Sequence, residues 1–167
     1  MKGKAHRFGD DVNTDYIIAG RHKFKTLDMD ELACHVMEDL DPDFCSRLDK
    51  GDFVVAGRNF GCGSSREQAP LALKHAGVGA VLAESFARIY FRNSINNGLP
   101  ALVCDTSEIE EGDDLELDLE KGVVTNLSRG QEIGCDPLLD VMLDILNEGG
   151  LIPYMKDHGG FSIEEKG

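Results

Sequence analysis

Hydrophobic and polar positions along the chain follow two different rhythms. Asp52-Phe53-Val54-Val55-Ala56-Gly57, Gly79-Ala80-Val81-Leu82-Ala83 and Ala101-Leu102-Val103-Cys104 are short, continuous apolar runs that read as buried strands. Between them, Ala69, Leu71, Ala72, Leu73 and Ala76 predict a helix stopped at Gly77, and Phe86 to Asn97 a second one ending at Gly98 before Pro100. Strand, helix, strand, helix, strand at this spacing predicts parallel pairing with right-handed crossovers. Farther on, Leu115, Leu117 and Leu119 alternate with acids, Lys121-Gly122 turns the chain, and Val123-Val124-Thr125-Asn126-Leu127 returns it. That alternation predicts an antiparallel hairpin with one wet face.

The ends of the chain extend this core. Residues 2–8 predict a first strand, and Gly9 to Asp15 is polar loop chemistry. Asp28 is placed to cap a helix with Glu31 at the capping-box position, and Met29, Leu32, Ala33, Val36 and Met37 give that helix a buried face. Pro137 to Leu146 predicts an amphipathic helix before Gly149-Gly150. No internal repeat or low-complexity linker interrupts the pattern. The expectation is one α/β domain over residues 1–167, a parallel core sheet with crossover helices plus an antiparallel hairpin.

Composition narrows the function. The 167 residues are 41% hydrophobic, enough for one compact core. Seventeen Lys and Arg against 31 Asp and Glu give a formal net charge of -14, spread as a solvated surface. A protein that binds nucleic acid through phosphates needs the opposite balance, so nucleic acid is excluded as a partner. An anionic substrate would need a local basic pocket, because the global field repels it. No apolar run approaches the ~20 residues of a membrane span, and the basic start lacks a signal peptide's apolar region, so no membrane partner and a cytoplasmic location are expected. The five cysteines are odd in number and widely spaced, without a CxxC. Neither a disulfide scaffold nor a metal site is expected in this chain.

The most informative segment is Gly57-Arg58-Asn59-Phe60-Gly61-Cys62-Gly63-Ser64-Ser65-Arg66-Glu67. It joins a buried strand to a helix, where open α/β sheets place ligands. Its glycines allow tight turning and close approach to another molecule, and exposed amides before a helix favour an anion. Two hydroxyls and a guanidinium follow, which makes a carboxylate- or phosphate-binding turn with a base or nucleophile attached. The same spacing also suits Ser64 and Ser65 as helix N-caps, with Glu67 and Gln68 as capping-box partners. Pro70 is awkward in a helix begun at Ser65. A P-loop is disfavoured, because no Gly-Lys-Ser/Thr follows, and so is a hydrolase elbow, because G-x-S-x-G is absent.

The run Asn59 to Glu67 closely resembles the serine-loop signature of aconitases and isopropylmalate dehydratases. Phe8-Gly9-Asp10-Asp11-Val12-Asn13-Thr14-Asp15 looks like that family's N-terminal Thr-Asp segment. Ala83-Glu84-Ser85-Phe86-Ala87-Arg88-Ile89-Tyr90-Phe91-Arg92-Asn93, with Asn96, Gly98 and Pro100, is similar to a third family stretch. The similarity runs from about residue 2 to 156, and is nearest to the small subunits of 3-isopropylmalate dehydratases. The resemblance implies the swivelling β/β/α domain as fold. It further implies a hydro-lyase that isomerises 2-isopropylmalate and 3-isopropylmalate in leucine biosynthesis. The chain would act only with a large subunit, as a heterodimer or heterotetramer, and a [4Fe-4S] cluster would sit on that large subunit. It implies that Ser64, as alkoxide, removes the proton beside a carboxylate of a small 2-hydroxy dicarboxylate. Ser65 and Arg66 would bind substrate, and Thr14 and Asp15 would form a supporting active-site pair.

The loop Arg21-His22-Lys23-Phe24-Lys25-Thr26-Leu27 is where the family chooses substrates, and many isopropylmalate enzymes have Tyr-Leu after the equivalent arginine. Arg21, Phe24 and Leu27 are the expected substrate contacts here, the latter two walling a branched side group. Lys23 or Lys25 would suit an extra carboxylate. Small subunits of 2,3-dimethylmalate dehydratase and homoaconitase are the alternatives within the class, and a stand-alone anion-binding module the alternative outside it. His22 reads as a loop histidine and His6, His35, His75 and His158 as structural. Cys62 is expected to pack under the turn. Arg88 and Arg92, four apart on one helix, suit either a subunit interface or surface ion pairs.

Overall fold

The computed structural model describes residues 1–23 and 25–159. In chain order the elements are β1 (Lys2–Arg7), α1 (Thr14–Ile17), α2 (Gly20–Lys23), α3 (Met29–Ala33), α4 (Phe44–Arg47), β2 (Phe53–Ala56), α5 (Gln68–Ala76), β3 (Ala80–Ala83), α6 (Arg88–Asn96) and β4 (Ala101–Val103). They are followed by β5 (Asp114–Asp118), β6 (Val123–Asn126), β7 (Gln131–Gly134), α7 (Asp140–Asn147) and α8 (Leu151–His158). The sheet order is β4-β3-β2-β1-β5-β6-β7, with β1 to β4 parallel and β5 to β7 antiparallel. A single bridge between Cys104 and Cys135, just beyond the two edge strands, brings the outer edges together and curls the sheet closed.

The period of two along a strand divides the core. Phe53, Val55, Ala80, Leu82, Leu102, Leu115, Leu117 and Val124 fill the inside of the curl. Val54, Ala56, Val81 and Ala83 point the other way, under α5 and the α1–α4 region. Strands buried on both faces must be continuously apolar, which is the pattern the sequence carries at β2 and β3. Strand β5 alternates exposed and buried residues, as the predicted hairpin requires.

Four expectations need correction. Residues 9–15 are not all loop: Asn13 caps α1 by accepting from the amides of Asp15 and Tyr16, so Thr14 and Asp15 stand on a helical turn. The helix predicted through Met37 ends at Ala33; Met37 takes φ 61° and donates its amide to the Ile17 carbonyl, so Val36 and Met37 are buried by a turn. Asp28 does cap α3, accepting from the amides of Asp30 and Glu31. The third correction is β7, which adds a strand to the hairpin, and the fourth is α8 beyond Gly150.

Beneath β1 lies a buried polar pair. His6 Nε2 and Asp52 Oδ2 are 2.8 Å apart, and the Asp52 carboxylate also accepts from the amides of Lys4 and Asp49. Burial pushes this carboxyl upward, but the bonds from His6 and the two amides outweigh it and hold it below the usual carboxylate range. A depressed folded value means that the stabilisation is complete above about pH 4 and disappears as pH falls through the folded value. Asp52→Asn is expected to cost about 1–3 kcal/mol near neutrality and to flatten the acid limb of the stability curve, as urea melts between about pH 3 and 7 will show.

Candidate active site

The turn leaving β2 is gripped from two sides, almost entirely by main-chain atoms. From the N-terminal side, the Gly61 amide donates to the Val12 carbonyl (2.7 Å), the Thr14 amide to the Cys62 carbonyl (2.9 Å) and the Thr14 hydroxyl to the Ser64 carbonyl (2.8 Å). From the segment after β3, the Ser85 carbonyl accepts from the Phe60 amide, the Ser85 hydroxyl accepts from the Asn59 amide, and the Ala87 amide donates to the Phe60 carbonyl. Asn59 sits at φ 58° and donates from Nδ2 to Asp11 Oδ1 (3.0 Å). At Gly61, φ is 81° and a Cβ would lie 2.1 Å from Tyr90 Cγ, so both conformation and space require glycine.

What this grip leaves free is the chemistry. Among the described residues, the amides of Gly63, Ser64 and Ser65 donate to nothing, and the side chains of Ser64 and Ser65 are exposed. Helix α5 starts only at Gln68, with Glu67 at its N-cap and no side-chain capping bond. The N-cap reading of Ser64 and Ser65 is therefore overturned, and Pro70 falls in the first turn, where its missing amide has no intrahelical acceptor to lose. Arg66 is mostly buried at 17% side-chain exposure and ion-pairs with Asp15, which is 60% exposed. Its Nη1 also donates to the Ile18 carbonyl at 3.4 Å. Thr14, Gly63, Ser65, Arg66, Arg88 and Tyr90 surround a pocket of about 340 Å³. The free amides of Gly63 and Ser65 and the Arg88 guanidinium face this hollow beside the Arg66–Asp15 pair, a locally positive site on an acidic protein.

The aconitase C-terminal domain model matches residues 28–106. The 3-isopropylmalate dehydratase small subunit 2 of Archaeoglobus fulgidus is 58% identical, over 98% of this chain and 99% of that protein. The chain belongs to the aconitase family of small subunits. The methanogen homoaconitase small subunit of Methanothermobacter thermautotrophicus is 55% identical, over 92% of this chain and 89% of that one. A crystal structure described as 3-isopropylmalate dehydratase from Methanocaldococcus jannaschii superposes with a TM-score of 0.91 at 47% identity, covering 95% of this chain and 94% of that chain.

In this aconitase-family chain, the structure gathers Thr14, Asp15, Ser64, Ser65 and Arg66 around one turn. Arg88 joins them. The sequence left it between an interface and surface ion pairs; it begins α6 beside the pocket and has no ion-pair partner among the described residues. The signal lay in the stretch 83–93, whose strand-end position is the same as that of the serine turn.

Arg21 and Leu27 stand elsewhere. The Arg21 guanidinium is bound by Glu38 and Asp39 rather than directed at Ser64. Leu27 is exposed and edges a separate hollow of about 200 Å³ with Met29, Leu32, Glu67, Gln68 and Leu71. The two hollows are flanked by consecutive residues, Arg66 and Glu67. Phe24 and the Lys23 side chain lie outside the described residues. A larger hollow of about 700 Å³ lies on the hairpin, edged by Glu116, Asp118, Glu120 and Glu132, and its charge is wrong for an acid.

His22 is not simply a solvated loop residue. It pairs with Glu38 and stacks on His35 with ring centroids 3.9 Å apart, while His35 Nδ1 lies 2.9 Å from the other Glu38 oxygen. Burial pushes the Glu38 carboxyl up, but bonds from His35, His22 and Arg21 outweigh it and bring it to about 2. His22, His35 and Glu38 place ligand atoms within 4.8 Å of one another. Parallel rings, however, aim their nitrogen lone pairs along parallel planes, and Arg21 already occupies the carboxylate, so this is a clamp on the loop's first residues. No three cysteines converge among the described residues, so these residues do not present the thiolate set that an iron-sulfur cluster requires. Cys62 is half-buried, and burial with the nearby Asp11 charge pushes its thiol up, which suits packing rather than nucleophilic attack.

Proposed function

We propose that this chain, acting as one swivel-type domain over residues 1–167, is the small subunit of a hydro-lyase that isomerises 2-isopropylmalate and 3-isopropylmalate in the cytoplasmic pathway to leucine. The observation that carries the reading is an exposed Ser64 hydroxyl among three free amides, next to an arginine held in place by Asp15. Ser64 Oγ, as alkoxide, takes the proton from the carbon beside a carboxylate, and the electron pair left behind forms the double bond. A serine hydroxyl is a poor base, so its ionised form must be stabilised electrostatically, and the amides of residues 63–65 and Arg66 supply that in a closed site. Arg66 and Ser65 hold a substrate carboxylate, with Asp15 fixing the guanidinium and Thr14 fixing the carbonyl of the catalytic serine. A [4Fe-4S] cluster on a large partner subunit, in a heterodimer or heterotetramer, would supply the Lewis acid that polarises the departing hydroxyl.

The relative from Methanothermobacter favours a second reading, a homoaconitase small subunit acting on a tricarboxylate, and a 2,3-dimethylmalate dehydratase is the remaining alternative. By residue type, Phe24 and Leu27 would suit a branched side group, whereas Lys23 or Lys25 would suit an additional carboxylate. Reconstitution with the cluster-bearing large subunit from the same genome, assayed on 3-isopropylmalate, 2,3-dimethylmalate and homoaconitate, separates the three. Activity on 3-isopropylmalate only when both chains are present is expected. A carboxylate retained tightly by the small chain alone, with no activity in the mixture, would sink the enzyme reading in favour of an anion-binding module.

Arg66→Lys is expected to reduce kcat/KM about 10²-fold, because an ammonium cannot reproduce a planar two-point clamp on a carboxylate. Steady-state kinetics of the reconstituted complex, with Tm measured alongside, checks this.

A further inference from the structure

Cys104 and Cys135 lie directly opposite each other where the two outer edges of the sheet meet. Their amides are used elsewhere, Cys104 donating to the Ala83 carbonyl and Cys135 to the Gly122 carbonyl, while the flanking Asp136 amide donates to the Val103 carbonyl at 2.8 Å. This is the non-hydrogen-bonded arrangement of an antiparallel pair, which brings Cα atoms to about 4.5 Å. A disulfide needs Cα atoms about 4.4–6.8 Å apart, so the backbone already has the required approach. Cys104 is buried and Cys135 half-buried, both packed on the core inside the curl. The proposed reaction uses neither thiol.

We propose that Cys104 and Cys135 are a reversible thiol-disulfide clasp that covalently closes the curled sheet, with a low-molecular-weight disulfide as oxidant. The two thiols differ in character. The proximity of the two sulfurs holds the Cys135 thiol below its ordinary value and, together with burial, pushes that of Cys104 up. Cys135, the more accessible of the two, is thus the attacking thiolate. Its sulfur forms a mixed disulfide with one half of the oxidant and expels the other half as a thiolate. Cys104, after losing its proton, then attacks the Cys135 sulfur and expels the second half. Two protein thiols are oxidised by two electrons in total, and one disulfide oxidant is reduced to two thiols. Asp105 and Asp136 flank the pair, so a neutral oxidant reacts faster than an anionic one.

The test treats the full chain with 2-hydroxyethyl disulfide, counts free thiols and maps peptides. Loss of two of the five thiols, a Cys104–Cys135 cross-linked peptide, and a Tm raised by roughly 5–10 °C and restored by dithiothreitol are expected. Cys104→Ser should stop at a mixed disulfide on Cys135, because the resolving thiol is gone. Five thiols surviving, a different pair linked, or a mixed disulfide persisting on Cys135 of the unaltered chain would each overturn the clasp. So would a Cys104–Cys135 link that leaves Tm unchanged.

Discussion

Ser64→Ala is expected to lower kcat of the reconstituted enzyme by about 10²–10⁴-fold, the range for a lost general base, while leaving Tm of the chain unchanged. The separation of the two readouts follows from the geometry. The Ser64 hydroxyl bonds nothing among the described residues; only its carbonyl is used, by Thr14. Helix α5 begins beyond it, so the helix keeps its start. Removing an exposed, unbonded hydroxyl changes stability by less than about 0.5 kcal/mol. Stopped assays across substrate concentration, paired with calorimetry, measure both. Turnover close to that of the unaltered enzyme would falsify the assignment of Ser64 as base.

Gly61→Ala should do the reverse and damage the scaffold. Its left-handed φ of 81° is strained for any side chain, and the new methyl would meet the root of the Tyr90 ring at 2.1 Å. Tyr90 cannot simply move, because it is buried and packed edge-on against Phe60, with centroids 5.2 Å apart. Conformational strain and overpacking together are expected to cost about 3–4 kcal/mol, read as a lower urea midpoint. Activity should fall as well, although every side chain assigned a chemical role is retained.

The parallel half of the fold was legible because its strands carry the signature of double burial and its helices end at glycines. Gly77 and Gly98 do take positive φ, as helix-terminating glycines should. The missed pieces lack such signals. Strand β7 buries no residue fully and offers only Ile133 to the core, so it has no alternation to read. Helix α1 has four residues, too few for a period, and its start at Asn13 is visible only from the capping bonds. Met37 kept helical spacing while adopting a left-handed turn, because tertiary packing against Ile17 outweighed local preference. At the site, the motif located Ser64 to Arg66, but spacing alone could not separate a helix cap from a loop with free hydroxyls. That distinction required knowing that α5 starts three residues after Ser65. Arg88 needed the fold, since only parallel pairing of β2 with β3 sets the following turns side by side.

The grip on the serine turn has a consequence for how this enzyme type can change. The bonds that fix residues 60–64 run almost wholly between backbone groups of residues 12–14 and 85–87, and they constrain few side-chain identities. The described residues of the 21–27 loop make none of them; its first residues are anchored separately, through Arg21 and His22 to Glu38 and Asp39. On the roles proposed above, reactivity and selectivity would thus occupy separately anchored parts of one small chain. Exchanging the loop for that of a relative with another substrate, together with its Glu38–Asp39 anchor, should retarget the enzyme without retuning the base, and natural lineages could have diversified by the same modular route.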